Sequence, residues 1–161
     1  MPEANRIIQF RGCTGGFLAY LNPELYQELK HHIGCETDLA KVFDYFTEEG
    51  YENEAKTSVA RSIRNKLRML NQLKRGVLIG NLKGFERLKY TKLPIYCIRI
   101  KSKDQNLRIP FTFMTFRNLE IAVLLHAFLE KNECDYKKGS KITEQRITEI
   151  INTGIAILAV N

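Results

Sequence analysis

The sequence has no closely spaced pair of cysteines. Cys13, Cys35, Cys97 and Cys134 are scattered and form no C-x-x-C, which leaves a zinc site or a disulfide framework without support and makes reduced thiols the simpler reading. No stretch approaches the roughly 18 uninterrupted apolar residues of a membrane span. The start, "MPEANRIIQF", lacks the basic opening and apolar run of a secretory leader. These absences lead to the expectation of a soluble, cytoplasmic protein with no membrane partner. A glycine-rich segment, "GCTGG", is present but lacks the GK[ST] ending of a phosphate-cradling loop, so it reads as a turn. Nothing in the composition suggests disorder, collagen or a coiled coil. With 161 residues, 44% of them hydrophobic, the chain can bury one sizeable core, and a single domain over 1–161 is expected.

Acidic residues are scarce in the middle of the chain. Residues 1–55 hold four Lys/Arg and ten Asp/Glu, a net of −6; residues 56–117 hold 16 and 2, a net of +14; residues 118–161 hold five and six, a net of −1. Like charge at that density repels itself in the folded state, and each cation set against a phosphate releases condensed counterions, so a polyanionic partner, a nucleic acid, is expected. The alternative is a solvated basic surface with no partner.

Local patterns divide the chain further. "RIIQF" (Arg6–Phe10) reads as a short strand, and "GCTGGFLAYL" as a turn into a second apolar run. "NPELYQELKHHIG" reads as a short helix with Asn22 as N-cap, Pro23 at the first helical position and Gly34 past the end. His31 and His32 fall in its last turn and suit the helix dipole there, a structural role. Glu36 to Glu49 reads as another helix, with Leu39, Val42, Phe43 and Phe46 on one stripe. Residues 1–55 are thus an acidic strand and helical layer.

"KTSVARSIRNKLRMLNQLKR", Lys56 to Arg75, predicts a long helix ended by Gly76. Val59, Ile63, Leu67, Leu70 and Leu73 face the core, while Arg61, Arg64, Arg68 and Arg75 fall in a narrow arc elsewhere. That arc is a basic stripe, either a solvated face or a grip for RNA or an acidic partner helix. Loop-like sequence follows through "GVLIGNLKGFERLKYTKLP". Period-two alternation then predicts an antiparallel meander of "IYCIRIK" (95–101), "LRIPFTFMTF" (107–116) and "LEIAVLLHAFLEK" (119–131). Simple alternation places Tyr96, Ile98, Ile100, Ile109, Phe111, Val123 and Leu125 on a core face. It places Arg99, Lys101, Arg108, Thr112, Leu124, His126, Phe128 and Glu130 on the other. Pro110 inside a run argues for an edge or a bulge. "KKGSKITEQRITEIINTG" reads as a basic loop, a Ser140 or Thr143 cap and a helix with Ile147, Ile150 and Ile151 inward, closed by Gly154. "IAILAV" reads as a last apolar strand within 153–161.

The succession of a basic helix, "GFERLK", "LPIYCIRIK", "LRIPFTF", "IAVLLHAFLEK", a basic linker and a closing helix resembles the RelE/ParE toxin superfamily, closest to its phage-derived and HigB-like branches. The most specific pieces are "LLHAFLEK" against "LLhgFvKK", "YCIRIK" against "yElRi" and the arginine opening "LRIPFTF". The resemblance covers roughly Lys56 to Asn152, a toxin core over 56–152. It implies an α+β fold with helices packed on one face of a small twisted antiparallel sheet, here with an N-terminal helical extension.

The activity implied is that of an endoribonuclease toxin of a type II toxin–antitoxin system. Such an enzyme cleaves mRNA, often on the ribosome, by 2′-hydroxyl attack without metal or cofactor, and a cognate antitoxin protein restrains it. The catalytic set implied is Arg99 and Arg108 on the scissile phosphate, His126 as general acid or base, Lys131 as the second lysine of "KK", and Tyr136 as a C-terminal aromatic acid or stacking group. Arg61, Arg64, Arg68, Arg87, Lys89 and Lys101 are the implied RNA-binding set. Two departures stand out: Glu130 replaces the first lysine of "KK", and the usual "KTP" is blurred into "NECDYKKGSKIT". ParE-like members inhibit DNA gyrase instead, so the alternative is a non-catalytic member, a gyrase inhibitor or a phage-encoded RNA-binding regulator. Residue by residue, the structural alternatives are a core role for His126 satisfied by a backbone carbonyl, a pairing of Arg99 and Arg108 with Glu120 or Glu86, and packing at a sheet end for Tyr136.

Overall fold

The computed structural model describes residues 6–9, 18–21, 23–33, 58–78, 82–101, 106–116 and 119–153. The helix expected at 36–49 and the strand expected in 153–161 lie outside the described residues. The N-terminal pattern folds as its sequence dictates: β1 (Arg6–Gln9), β2 (Leu18–Leu21) and α1 (Pro23–Ile33), whose proline takes the first helical position. α2 (Ser58–Leu73) follows and runs into a 3-10 turn, Lys74–Leu78. The segment read as a loop contains a short strand, β3 (Phe85–Arg87), too brief for alternation to reveal. β4 (Tyr96–Lys101), β5 (Asn106–Phe116) and β6 (Leu119–Leu124) form the expected meander. β7 (Phe128–Leu129) and α3 (Glu133–Thr153) complete the described chain.

The strands make one sheet in the order β1-β2-β6-β5-β4-β3, with β7 pairing β5 beyond the end of β6. All its ladders are antiparallel except β2 against β6, which is parallel. A parallel pair needs a long crossover, and here nearly a hundred residues supply it.

Helices cover both faces of this sheet, which corrects the expectation of helices on one face and an open basic face opposite. Leu25 and Leu29 of α1 and Ile63, Leu67 and Leu70 of α2 pack on Ile98, Ile109 and Phe111. On the other side Tyr136, Ile147 and Ile150 of α3 pack on Leu88, Cys97, Val123 and Leu125. The reason lies in Cys97, Val123 and Leu125: the second face also carries apolar side chains, and burying them requires a covering element. Leu73 and Ile151, expected inward, are about half exposed.

α3 begins at Glu133, well before the expected cap. Asn132 is its N-cap, the side-chain oxygen accepting the Asp135 N–H at 2.9 Å, and the Asp135 carboxylate accepts the Lys131 N–H at 3.2 Å. Ser140 and Thr143 are buried mid-helix, with the Thr143 hydroxyl donating to the Gly139 carbonyl at 2.8 Å. Gly139 is tolerated inside the helix because a Cβ there would stand 2.6 Å from the Phe128 ring.

The third strand of the meander is interrupted. Phe111 pairs Leu124 and Arg108 pairs Phe128, so Ile109 and Pro110 face three residues, Leu125, His126 and Ala127. This is a bulge of one extra residue, opposite a proline that has no N–H to give to either neighbour. The Pro110 carbonyl still accepts the Leu125 N–H at 2.9 Å. The extra residue inverts the alternation. Ala122 and Leu124 face the α1/α2 side, and so does Ala127; Val123, Leu125 and Phe128 face α3. Leu124 therefore belongs to the core that holds Phe111, and Val123 to the face that holds Thr112, the reverse of the alternation expected from sequence.

Candidate functional site

Arg99 on β4 and Arg108 on β5 are direct cross-strand partners, a like-charge pairing that is unfavourable by itself. Glu86 on β3 offsets it: its carboxylate lies 2.5 Å from Arg108 Nη1 and 3.7 Å from Arg99 Nη1. A second carboxylate comes from the far side of the bulge. Glu130 accepts from Arg108 Nε at 3.1 Å and from Asn106 Nδ2 at 2.9 Å, and it lies 3.1 Å from Arg108 Nη2. The Arg108 side chain is 8% exposed, against 36% for Arg99. Burial pulls the Arg108 guanidinium down, and the Glu86 hydrogen bond with the neighbouring charges more than offsets it, so Arg108 stays cationic.

The Tyr136 ring, from the first turn of α3, closes over this guanidinium with its centroid 4.8 Å from Arg108 Cζ. Its hydroxyl accepts the Lys89 N–H at 3.0 Å, and burial raises the phenol above its ordinary value. Together these groups floor a cleft of about 400 Å³, rimmed by Lys89, Tyr90, Lys131 and Glu133. Lys89 and Lys131 are exposed there. The cleft joins a buried cation, the carboxylates of Glu86, Glu130 and Glu133 and two exposed ammonium groups, cations for an anionic ester beside groups that can exchange a proton.

Of the catalytic set implied by sequence, Arg108, Lys131 and Tyr136 line this cleft and Arg99 stands beside it through Glu86. His126 does not. The bulge carries it to a separate cluster, where it is 5% exposed with Nδ1 2.8 Å from Glu28 Oε1 and 3.1 Å from Arg146 Nη1. Its ring stacks on Phe128, and Phe128 in turn meets Tyr136 edge to face. His126 is thus a buried histidine, but its partner is a carboxylate rather than a backbone carbonyl. Burial raises the Glu28 carboxyl, yet hydrogen bonds with His126 and Arg146 outweigh that and hold it below the ordinary carboxylate range. His32 joins the cluster's edge, its Nε2 3.3 Å from the Ala127 carbonyl oxygen.

The RNA-binding set disperses. Arg87 ties down its own loop, donating through Nη1 to the Leu88 carbonyl at 3.0 Å, the Thr91 hydroxyl at 3.1 Å and the Ile95 carbonyl at 2.9 Å. Lys101 is exposed at the end of β4. α2 lies across the sheet from the cleft, so its stripe does not extend the cleft's field; Arg61 is exposed, Arg64 is 5% exposed, and the Arg68 side chain lies outside the described residues.

Six cleft residues escaped the sequence reading as site residues: Glu86, which it gave only as a structural ion-pair partner, and Tyr90, Asn106, Glu130, Asn132 and Glu133. Glu130 had a signal, since it is the carboxylate standing where the resemblance calls for lysine. Asn106 and Tyr90 had none, because one opens a strand and the other lies in sequence that reads as a loop. Among the described residues no three His, Cys, Asp or Glu side chains converge as a metal site would require, and no helix is long and apolar enough to cross a membrane. Comparison with protein-family models, with curated proteins and with solved structures returns no match.

Proposed function

We propose that the protein is a RelE/ParE-like endoribonuclease toxin that cleaves mRNA at the Arg108 cleft, with a cognate antitoxin as its protein partner. The observation that carries this reading is the placement of Arg108 between Glu86 and Glu130 beneath Tyr136. Cleavage by 2′-hydroxyl attack needs a group to take the hydroxyl proton, a cation to stabilise the extra charge on phosphorus, and a proton for the leaving 5′-oxygen. In this reading one of the two carboxylates is the base and Arg108 binds the phosphate. The Tyr136 hydroxyl is the acid. Its oxygen accepts the Lys89 N–H, which leaves its own proton to give. Lys89 and Lys131 hold flanking phosphates. Codon-level cutting on the ribosome belongs to the same proposal.

The non-catalytic reading, a gyrase inhibitor or an RNA-binding regulator in the same fold, is favoured by one specific observation: the guanidinium of Arg108 is already engaged by two internal carboxylates. Induction of the wild-type chain in a bacterial host, with mapping of mRNA 5′ ends by primer extension, separates the two. New ends that vanish in an Arg99→Ala/Arg108→Ala variant are the outcome expected of the nuclease. Growth arrest without new ends overturns it in favour of the non-catalytic reading.

A further inference from the structure

Among the described residues, Tyr90 is the one non-glycine with a positive φ, 65°. Bulky side chains rarely adopt this left-handed conformation, and such strain persists only where the surrounding structure enforces it. The enforcement is visible. The Leu88 N–H donates to the Ile95 carbonyl at 2.9 Å, and Arg87 fans across the loop as described above. The Glu144 carboxylate accepts the Lys92 and Leu93 N–H groups at 2.5 and 3.2 Å. The loop is therefore a rigid mount for a residue that takes no part in either core.

What it mounts is an aromatic ring left 53% exposed. The ring meets Tyr136 edge to face with centroids 5.7 Å apart, the Lys137 ammonium lies 5.3 Å from its centroid, and its hydroxyl donates to the Glu133 carboxylate. Tyr90 also stands as a wall between two recesses. One is the Arg108 cleft; the other, of about 870 Å³, is lined by Lys141, Glu144, Gln145 and Thr148 of α3. Lys89 and Arg108 line the first recess and Lys141 the second, the Lys137 ammonium lies over the ring between them, and carboxylates accompany these cations, Glu86, Glu130 and Glu133 in the first and Glu144 and Glu149 in the second.

We infer that Tyr90 is a stacking platform for a nucleobase of a single RNA strand. The strand's phosphates pass from the Arg108 cleft across the Tyr90 ring to Lys137 and Lys141. An exposed aromatic with a cation to either side is how single strands are held without base-edge readout, because every base offers a π-face. The strained backbone is then the cost of aiming the ring at the strand rather than into the core. This inference rests on the RNA reading of the cleft and adds to it the residue that takes the base and the path of the strand.

Fluorescence anisotropy with two labelled probes tests it: a short 2′-O-methyl adenosine oligonucleotide, which lacks the attacking hydroxyl, and an abasic sugar–phosphate strand of equal length. Wild-type protein should bind the base-bearing strand more tightly. Tyr90→Gly should weaken that binding about tenfold or more while leaving the abasic strand unaffected. Because glycine accepts a positive φ freely, its thermal midpoint should match or exceed the wild-type value. Tyr90→Asn, which also tolerates this φ, should behave as the glycine variant does, and Tyr90→Phe, which keeps the ring and loses only the Glu133 bond, should bind as wild type. Equal wild-type affinity for the two strands, with Tyr90→Gly changing neither, overturns the platform and leaves the RNA reading standing. Loss of affinity in Tyr90→Phe as large as in Tyr90→Gly makes Tyr90 a latch on Glu133 and also overturns it. Binding of neither strand overturns both.

Discussion

Arg146 and Glu28, 118 positions apart, meet as a two-pronged pair, Nη1 and Nη2 each 2.8 Å from a carboxylate oxygen. The pair joins helices on opposite faces of the sheet through the bulge, because Glu28 also accepts the Ala127 N–H at 3.2 Å and Arg146 also donates to the Leu125 carbonyl at 3.0 Å. Side-chain exposures of 23% and 12% make it largely buried, and removing Glu28 leaves Arg146 only the exposed Glu24 carboxylate, 2.9 Å from Nη2. Glu28→Ala should lower unfolding free energy by about 3–5 kcal/mol, measured by urea denaturation. A loss under about 1 kcal/mol would mean that Glu24 and water satisfy Arg146 as well as Glu28 does.

The same pair sets an acid limit. The Glu28 carboxyl titrates below 4.5 in the folded chain, so its contribution is fully present above pH 4.5 and is lost as pH falls through the lower folded-state value. His32 adds to this from higher pH. Burial holds its folded pKa below 6.5, so the unfolded chain binds the proton first and stability declines as pH drops from 6.5. Thermal midpoints should fall from about pH 6.5 downward and steepen below pH 4.5, and His32→Gln should remove the upper part of the decline.

Arg108→Ala should destabilise as well as inactivate. Glu130 would lose its arginine and Glu86 would keep only Arg99 at 3.7 Å, at a cost of about 3 kcal/mol, the low end for a buried pair because Glu86 is 41% exposed. Adding Glu130→Gln should recover at least 1 kcal/mol of that by removing the charge left without its arginine. Guanidinium chloride melts of the two single variants and the double variant measure the coupling, and simple additivity would count against the paired geometry.

Gly139→Ala would ordinarily strengthen a helix by roughly 1 kcal/mol. Here the new methyl would meet the Phe128 ring at 2.6 Å, and overpacking costs about 1–3 kcal/mol. A net loss near 1 kcal/mol is expected in a chemical melt, and Phe128→Leu in the same chain should reverse its sign.

Cys97 should be chemically silent in the folded protein. It is fully buried and its thiol is pushed up to about 12, chiefly by burial, so almost no thiolate forms at neutral pH. Cys134 is exposed on the first turn of α3. Mass spectrometry after brief iodoacetamide treatment should find Cys134 modified and Cys97 untouched until denaturant is added.

Much of this architecture is readable from residue order. Pro23 marks the start of α1, the Ile63–Leu67–Leu70 stripe marks the buried side of α2, and Ile98, Ile109 and Phe111 mark the core face of the meander. The failures have physical causes. Period-two alternation says neither which parity faces which layer nor where a residue is inserted: Leu124, not Val123, shares the face of Phe111, and the bulge at Leu125–Ala127 then interrupts the parity by which His126 was assigned to the Arg108 face. Pro110 was the one local hint of it. Gly139 and Ser140 mimic a linker, and only the Phe128 ring above them explains why a helix runs through. Glu86 and Glu130 come from separate stretches of chain, and it is the folded sheet that brings both to Arg108.

The parallel contact of β2 with β6 has a consequence for biosynthesis. Leu18 finds its partner, Ile121, about a hundred positions later in the chain. As the polypeptide leaves the ribosome, the β1–β2 hairpin waits with an open edge until β6 has emerged, because among the described residues no earlier strand borders it in the sheet. Completion of the sheet is therefore a late event in synthesis, and in that interval the nascent hairpin is the segment most open to capture by a chaperone or by another chain.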